Sequence, residues 1–238
     1  MIIRTATDMY NATLEFLNKE ATASLSPEEF EIMVNAAQLE YVKNRYDEAE
    51  KTQKRIDDLR SIMVINESIL NSGANVAASE VFELPYDDAG FVTTAKNPTG
   101  TNHGYLFMLN CALKLSYVNN KCGFTGISEF LKAKPMKADK RNEIERDPFN
   151  RPTDERLYYQ ETGDQVIVFT GTQSFATEAR IDYLRYPVDI QIVTSVVDSE
   201  LPIHARTEIV DIVVRKVLEN IESQRYSTNL NENNKIIV

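Results

Sequence analysis

The chain has no tryptophan, and only two histidines and two cysteines among its 238 residues. Cys111 and Cys122 show no CxxC spacing, so no thiolate metal site of the common kind is encoded. They are expected to be reduced thiols in a protein made in a reducing cytoplasm. His103 lies in GTNHG and His204 near the start of the last apolar stripe. No HExxH accompanies either, so both are expected to be surface or structural. Long apolar runs are also missing: none approaches the roughly 18 residues that span a bilayer. The opening MIIRTATDMY is too short and too polar for a signal segment. A soluble protein with no membrane partner is the expectation. Positive charge is scarce, with 26 Lys and Arg against 36 Asp and Glu, a net charge of −10. That balance argues against a surface that grips nucleic acid. It still suits a wall past which DNA slides, because acidic groups repel phosphate. There is no P-loop, GxGxxG or GxSxG. No catalytic residue, cofactor or metal site is therefore expected, and the chain does not read as an enzyme.

What is present is an adequate core. Eleven Tyr, ten Phe and 42% hydrophobic residues suffice for one domain or two small ones. Met9, Ala12, Thr13, Phe16 and Leu17 recur at helical spacing. Ser26, Pro27 and Glu29 form a helix start with a capping box. Phe30, Met33, Val34, Ala37 and Tyr41 then mark a second helical stripe. Asp47 and Glu50 suggest another capping box, with Ile56, Leu59 and Met63 continuing a third helix that ends at Gly73. Helices two and three would form an αα-hairpin.

The middle of the chain changes period. Residues 80–84, 105–109, 114–119, 157–160, 166–170 and 175–186 read as strands. ETGD (residues 161–164) predicts a hairpin turn, with Gly163 supplying positive φ. Residues 85–104 and 132–154 read as long polar loops, of a kind usually functional or ordered by a partner. Helix returns with Asp198 or Ser199 as cap and Pro202 in the first turn. Ile209, Val210, Ile212, Val213, Val214, Val217, Leu218 and Ile221 cover more than one face, which predicts burial between layers or subunits. STNLNENNKIIV (residues 227–238) reads as a polar tail whose Ile236, Ile237 and Val238 could hook onto a neighbour.

The charged clusters look solvated. Asp57 and Asp58 are flanked by Lys54, Arg55 and Arg60, which predicts a salt-bridged surface. Glu143, Glu145 and Asp147 alternate with Lys140, Arg141 and Arg146, the pattern of an exposed loop rather than of paired catalytic carboxylates. Lys132, Lys134, Lys137, Lys140 and Arg141 form the one basic run, open to a solvated loop, to DNA contact or to docking on an acidic neighbour.

The resulting fold class is α+β: an N-terminal helical hairpin or bundle with the C-terminal helix packed on it, and a central antiparallel β domain with long loops. The divisions are residues 1–75 (helical), 76–198 (β-rich), 199–226 (C-terminal helix) and 227–238 (tail or arm).

Several blocks occur in a telling order. FEIMVNAAQLEYVKNRY (residues 30–46) runs into EKTQKRIDDLRSIMV (residues 50–64). DPFNRP (residues 147–152) follows, then IDYLRYPVDI (residues 181–190), and LPIHARTEIVDIVVRKVLENIESQRY (residues 201–226) closes the series. This order resembles the neck and tail ring proteins of crAss-like bacteriophages. The resemblance implies a non-enzymatic virion protein, a cyclic and dodecameric ring in the portal–tail assembly. The ring would enclose the DNA channel and contact portal, ring and tail neighbours. The competing expectation is a cytoplasmic interaction or adaptor module that forms no ring.

Overall fold

The computed structural model describes residues 3–19, 25–49, 57–69, 79–84, 104–117, 129–163, 165–172 and 174–236. Its elements are α1 (Ala6–Lys19), α2 (Pro27–Ala49), β1 (Met63–Ile69), β2 (Ser79–Glu83), β3 (Tyr105–Tyr117), β4 (Leu131–Pro135), α3 (Arg141–Arg146), β5 (Tyr158–Thr162), β6 (Gln165–Phe169), β7 (Ser174–Arg185) and α4 (Ile203–Ile236). The fold is α+β. It divides into a helical unit, Met1–Ile62 with Pro187–Val238, and a sheet unit, Met63–Tyr186.

In the helical unit, both early helices begin with reciprocal caps. Ser26 Oγ accepts the Glu29 N–H at 3.2 Å while Glu29 accepts the Ser26 N–H at 3.0 Å, the expected capping box. Thr5 and Asp8 do the same for α1, each accepting the other's N–H at 3.1 Å. Backbone donation from Arg4 and Thr5 holds the Asp8 carboxyl below the usual carboxylate range. Asp198 also accepts the Ala6 N–H, at 2.6 Å. Expected as a cap for the last helix, it caps the first, because the return segment passes the free N–H groups of α1.

The stripes bury largely as spaced. Met9, Ala12, Thr13, Leu17, Phe30, Val34, Ala37 and Tyr41 are buried, whereas Phe16 sits at the edge of its stripe and is 41% exposed. Ile209, Val210, Val213 and Val217 of α4 are buried, and α4 packs on both α1 and α2. Two neighbours explain why its apolar surface exceeds one face. The ion pairs set its direction. Arg45 meets Glu208 at 2.7 Å, and Glu40 meets Arg215 and Lys216 at 2.7 and 2.8 Å, so α2 and α4 run antiparallel. The Lys216 ammonium, aided by Arg215, lowers the Glu40 carboxyl.

The return segment before α4 makes no regular strand, and α2 side chains serve its backbone. Glu31 accepts the N–H groups of Ile192 and Val193 at 2.5 and 2.7 Å. Asn35 accepts the Ile190 N–H at 2.8 Å and donates to the Ile190 carbonyl at 3.1 Å. Gln38 donates to the Val188 carbonyl at 2.9 Å and accepts the Ser199 hydroxyl at 2.8 Å. Spacing of four and three residues puts all three on one helix face.

Several sequence expectations need correction. α2 continues to Ala49, so Asp47 lies inside it and caps nothing. The expected third helix is present at Asp57 and Asp58, with residues 50–56 outside the described residues, but it stops there: a 3-10 turn follows at Arg60–Ile62 and Met63 starts a strand. Leu59 and Ile62 are buried, so helical spacing into Met63 joined two different elements. α4 extends to Ile236, so residues 227–236 are helical where a tail or arm was expected. Residues 132–154 are ordered as β4, a 3-10 turn and α3, while residues 85–103 lie outside the described residues.

The sheet has seven described strands in the order β1-β7-β3-β4-β5-β6-β2. It is mixed rather than antiparallel, because β4 and β5 pair parallel through the crossover that carries α3. It curls, so that β2 at its far edge again touches β7. The two strands expected at 105–119 are one, β3, paired along β7. The expected hairpin pairs Thr162 with Gln165, and Gly163 has φ +60°. β1 carries a bulge between Val64 and Glu67, with Asn66 at φ 59°. Asp182 on β7 accepts the Asn66 N–H at 2.8 Å and the Asn110 amide at 3.2 Å, tying β1 and β3 to the strand between them. Leu113, Phe82, Val166, Val168, Ile181 and Tyr183 centre the core.

Replacing Asn35 by Ala leaves the Ile190 N–H and carbonyl without partners. Urea unfolding should show a loss of about 1–3 kcal/mol. A loss below about 0.5 kcal/mol would mean the segment holds itself.

Candidate functional site

The basic run is placed by β4. Lys132 and Lys134 are exposed while Ala133 between them is buried, the alternation of a half-buried strand. Both lysines line a cleft of about 170 Å³ with Thr153, Glu155, Arg156 and Leu157. A neighbouring cleft of about 240 Å³ is lined by Arg151, Pro152, Thr153, Asp154, Gly171 and Thr172.

The wall between these clefts is fixed. Thr153 and Arg156 exchange backbone hydrogen bonds at 3.0 Å, and Thr153 Oγ1 accepts the Arg156 N–H at 3.1 Å. Asp154 accepts the buried Ser174 hydroxyl at 2.5 Å. Gly171 is needed opposite, because a Cβ there would collide with the Asp154 carboxylate. Residues 131–156 hold eight Lys and Arg against six Asp and Glu, a local cationic excess in a chain of net charge −10. Among the described residues only Arg141 of the eight has an ion-pair partner, Glu145 at 2.9 Å. Arg141 also lies 4.7 Å over the Phe169 ring. Glu143 and Glu145 sit on α3, and Ile144 anchors that helix on Met136, Tyr158 and Phe169.

DPFNRP forms a tight turn after α3. Asp147 Oδ1 accepts the Phe149 N–H at 2.8 Å and Oδ2 accepts the Asn150 amide at 2.6 Å. The Asp147 carbonyl accepts the Asn150 and Arg151 N–H groups at 3.2 and 2.9 Å. Donation by Phe149, then by Asn150, holds the Asp147 carboxyl below the usual range. The turn presents Phe149 to solvent, 81% exposed.

The helical unit holds a second polar cluster. Asp58 is buried, contrary to the expected solvated pair, while Asp57 is exposed. His204 Nε2 meets Asp58 at 2.7 Å, and Arg45 lies 3.6 Å from Asp58. Arg45 also lies 5.1 Å over the Tyr41 ring. The partners of Asp58 come from distant segments, which local charge spacing could not reveal. The pair acts as a clamp between residues 57–58 and the first turn of α4. Among the described residues no group of three or more His, Cys, Asp or Glu could hold a metal. His103 and Cys122 lie outside the described residues. Cys111 is buried in β3, and burial, with Glu161 and Asp182 adding, pushes its thiol up to about 12.

Sequence reasoning missed Arg156 and Thr153 as cleft residues, and Arg45 and Glu208 as partners. The apolar–Lys alternation Leu131-Lys132-Ala133-Lys134 was the available sign of β4. Comparison of the sequence with protein-family models and with curated proteins returned no match.

Because the Cys111 pKa rises on folding from 9.0 to about 12, its contribution to stability is complete below pH 9 and lost as pH climbs towards 12. Thermal midpoints measured from pH 8 to 10.5 should fall, and fall less steeply in Cys111→Ala. Parallel profiles for the two proteins would contradict this.

Proposed function

We propose that the chain is a non-enzymatic virion structural protein. It would be one subunit of a cyclic, dodecameric ring in the portal–tail neck of a bacteriophage, connecting head to tail around the DNA channel. Portal, ring and tail proteins would be its neighbours, and DNA would pass without sequence-specific contact. In this reading the N-terminal helices and α4 form one assembly unit, and the strand region forms the other.

The observation that carries this reading is apolar surface held out on ordered backbone in both units. Phe149 is 81% exposed in a hydrogen-bonded turn, Ile32 73% exposed on α2, and Val196 65% exposed beside the segment that α2 fastens. Single exposed apolar residues are ordinary on a monomer. Several on rigid supports suit a subunit that buries them against copies and neighbours. Head-to-tail contacts between identical chains close into rings when the rotation permits, and obligate interfaces of that kind bury roughly 2,000–5,000 Å². The net charge of −10 fits a channel wall that repels phosphate. No helix among the described residues is long and apolar enough to cross a membrane.

Negative-stain imaging of the purified protein, with its mass measured in solution, tests the proposal. Closed rings with a central hole, of one subunit number, are the expected result. A monomer or dimer at every concentration, alone and with portal protein, would overturn it in favour of an adaptor.

A further inference from the structure

The turn that displays Phe149 has the composition of one half of a protein contact. An aromatic side chain stands at the centre, and Arg146, Arg151, Lys132, Lys134 and Arg156 lie on the same or adjoining segments. None of these five cations has an ion-pair partner among the described residues. Aromatic and arginine side chains dominate the energetic centres of protein interfaces. The turn is also organised in advance. Asp147 fixes the backbone on either side of Phe149, and the Thr153–Arg156 and Asp154–Ser174 bonds fix the wall behind it. Little conformational freedom is left to lose on docking.

A matching half needs exposed apolar surface framed by carboxylates. The start of α2 offers one. Glu28 and Ile32 are four residues apart on one face of the helix, and both are exposed. Ile32 is 73% exposed, and Val193, whose N–H is held by Glu31, is 48% exposed. The helix carries Glu28 and Glu29 in its first turn and Glu31 beyond it. We propose that the Phe149 turn of one copy docks on the Glu28–Ile32 face of α2 in another copy, as a heterologous contact. Opposite local charge selects this partner. A basic segment in a chain of net charge −10 finds its complement on the chain's own acidic surface. Because the two faces differ, each copy keeps one of each free, and the contact propagates until it closes. The inference rests on the ring reading and names its subunit contact.

Phe149→Glu, Ile32→Arg and the double variant test it, since both positions are exposed and neither substitution disturbs the core. Circular dichroism melts confirm that each variant folds. Self-association is measured by sedimentation equilibrium over a range of protein and salt concentrations. Wild type should associate, and more weakly as salt rises. Each single variant should weaken association tenfold or more, Phe149→Glu by placing a charge in an apolar socket and Ile32→Arg by adding a cation facing the basic frame. The double variant should recover most of the loss, because every contact then pairs Glu with Arg. Wild type and Phe149→Glu forming the same rings would overturn the contact and leave the ring reading standing. A wild type that never associates would overturn both. Rings unaffected by Phe149→Glu, with weaker binding of a DNA duplex, would assign the turn to DNA and also overturn the contact.

Discussion

The side-chain ladder of Glu31, Asn35 and Gln38 is the constraint on which the helical unit depends. Its two parts of chain, Met1–Ile62 and Pro187–Val238, are separated by the whole sheet unit. Something must convert the exit from β7 into a defined entry to α4. A strand pairing would do this in many folds. Here the segment from Val188 to Ser199 has one isolated bridge, Gln191 with Val197, and three polar side chains of α2 hold Val188, Ile190, Ile192, Val193 and Ser199. Buried polar groups left unpaired cost more than paired ones contribute, so such a ladder specifies one register strongly. With that register set, Asp198 reaches the N-terminus of α1 and Leu201 enters the core. Ion pairs from Arg45 and Glu40 tie α4 to α2 directly.

The sheet unit solves a related problem differently. β7 is flanked by β1 and β3, and Asp182 serves both neighbours across it. The bulge at Asn66 lets β1 bend with the curl while its N–H remains satisfied. The parallel pairing of β4 with β5 requires a crossover, and that crossover carries α3, the Phe149 turn and the Thr153–Arg156 wall. The only parallel step among the described strands thus carries a locally cationic segment of an acidic chain. Topology and candidate interface have the same origin.

Features with local causes were legible in the sequence. The Ser26–Glu29 cap, the stripe from Phe30 to Tyr41, the hairpin at Gly163 and the strands at 158–162, 165–169 and 174–185 all rest on short-range chemistry. The misses share a cause too. β1 was read as helix because Ile56, Leu59 and Met63 keep helical spacing across a change of element. β4 and α3 were read as loop because their residues are charged, although one face of each packs. Residues 227–236 were read as a tail for their Asn-rich polarity, which describes solvation and not backbone conformation. Of the candidate site, the lysines of β4 were legible. Arg156, Thr153 and the Asp58–His204 clamp were not, because tertiary pairing alone brings them together.

Hydrogen–deuterium exchange on the intact chain, read at single-amide resolution across residues 188–199, tests the ladder most directly. The account predicts that the Ile190, Ile192 and Val193 amides, each held by an α2 side chain, exchange as slowly as amides inside α2. It also predicts that Thr194 and Ser195, exposed in the turn, exchange fast. Uniformly fast exchange from 188 to 199 would contradict it, for the helical unit would then be held by apolar packing alone.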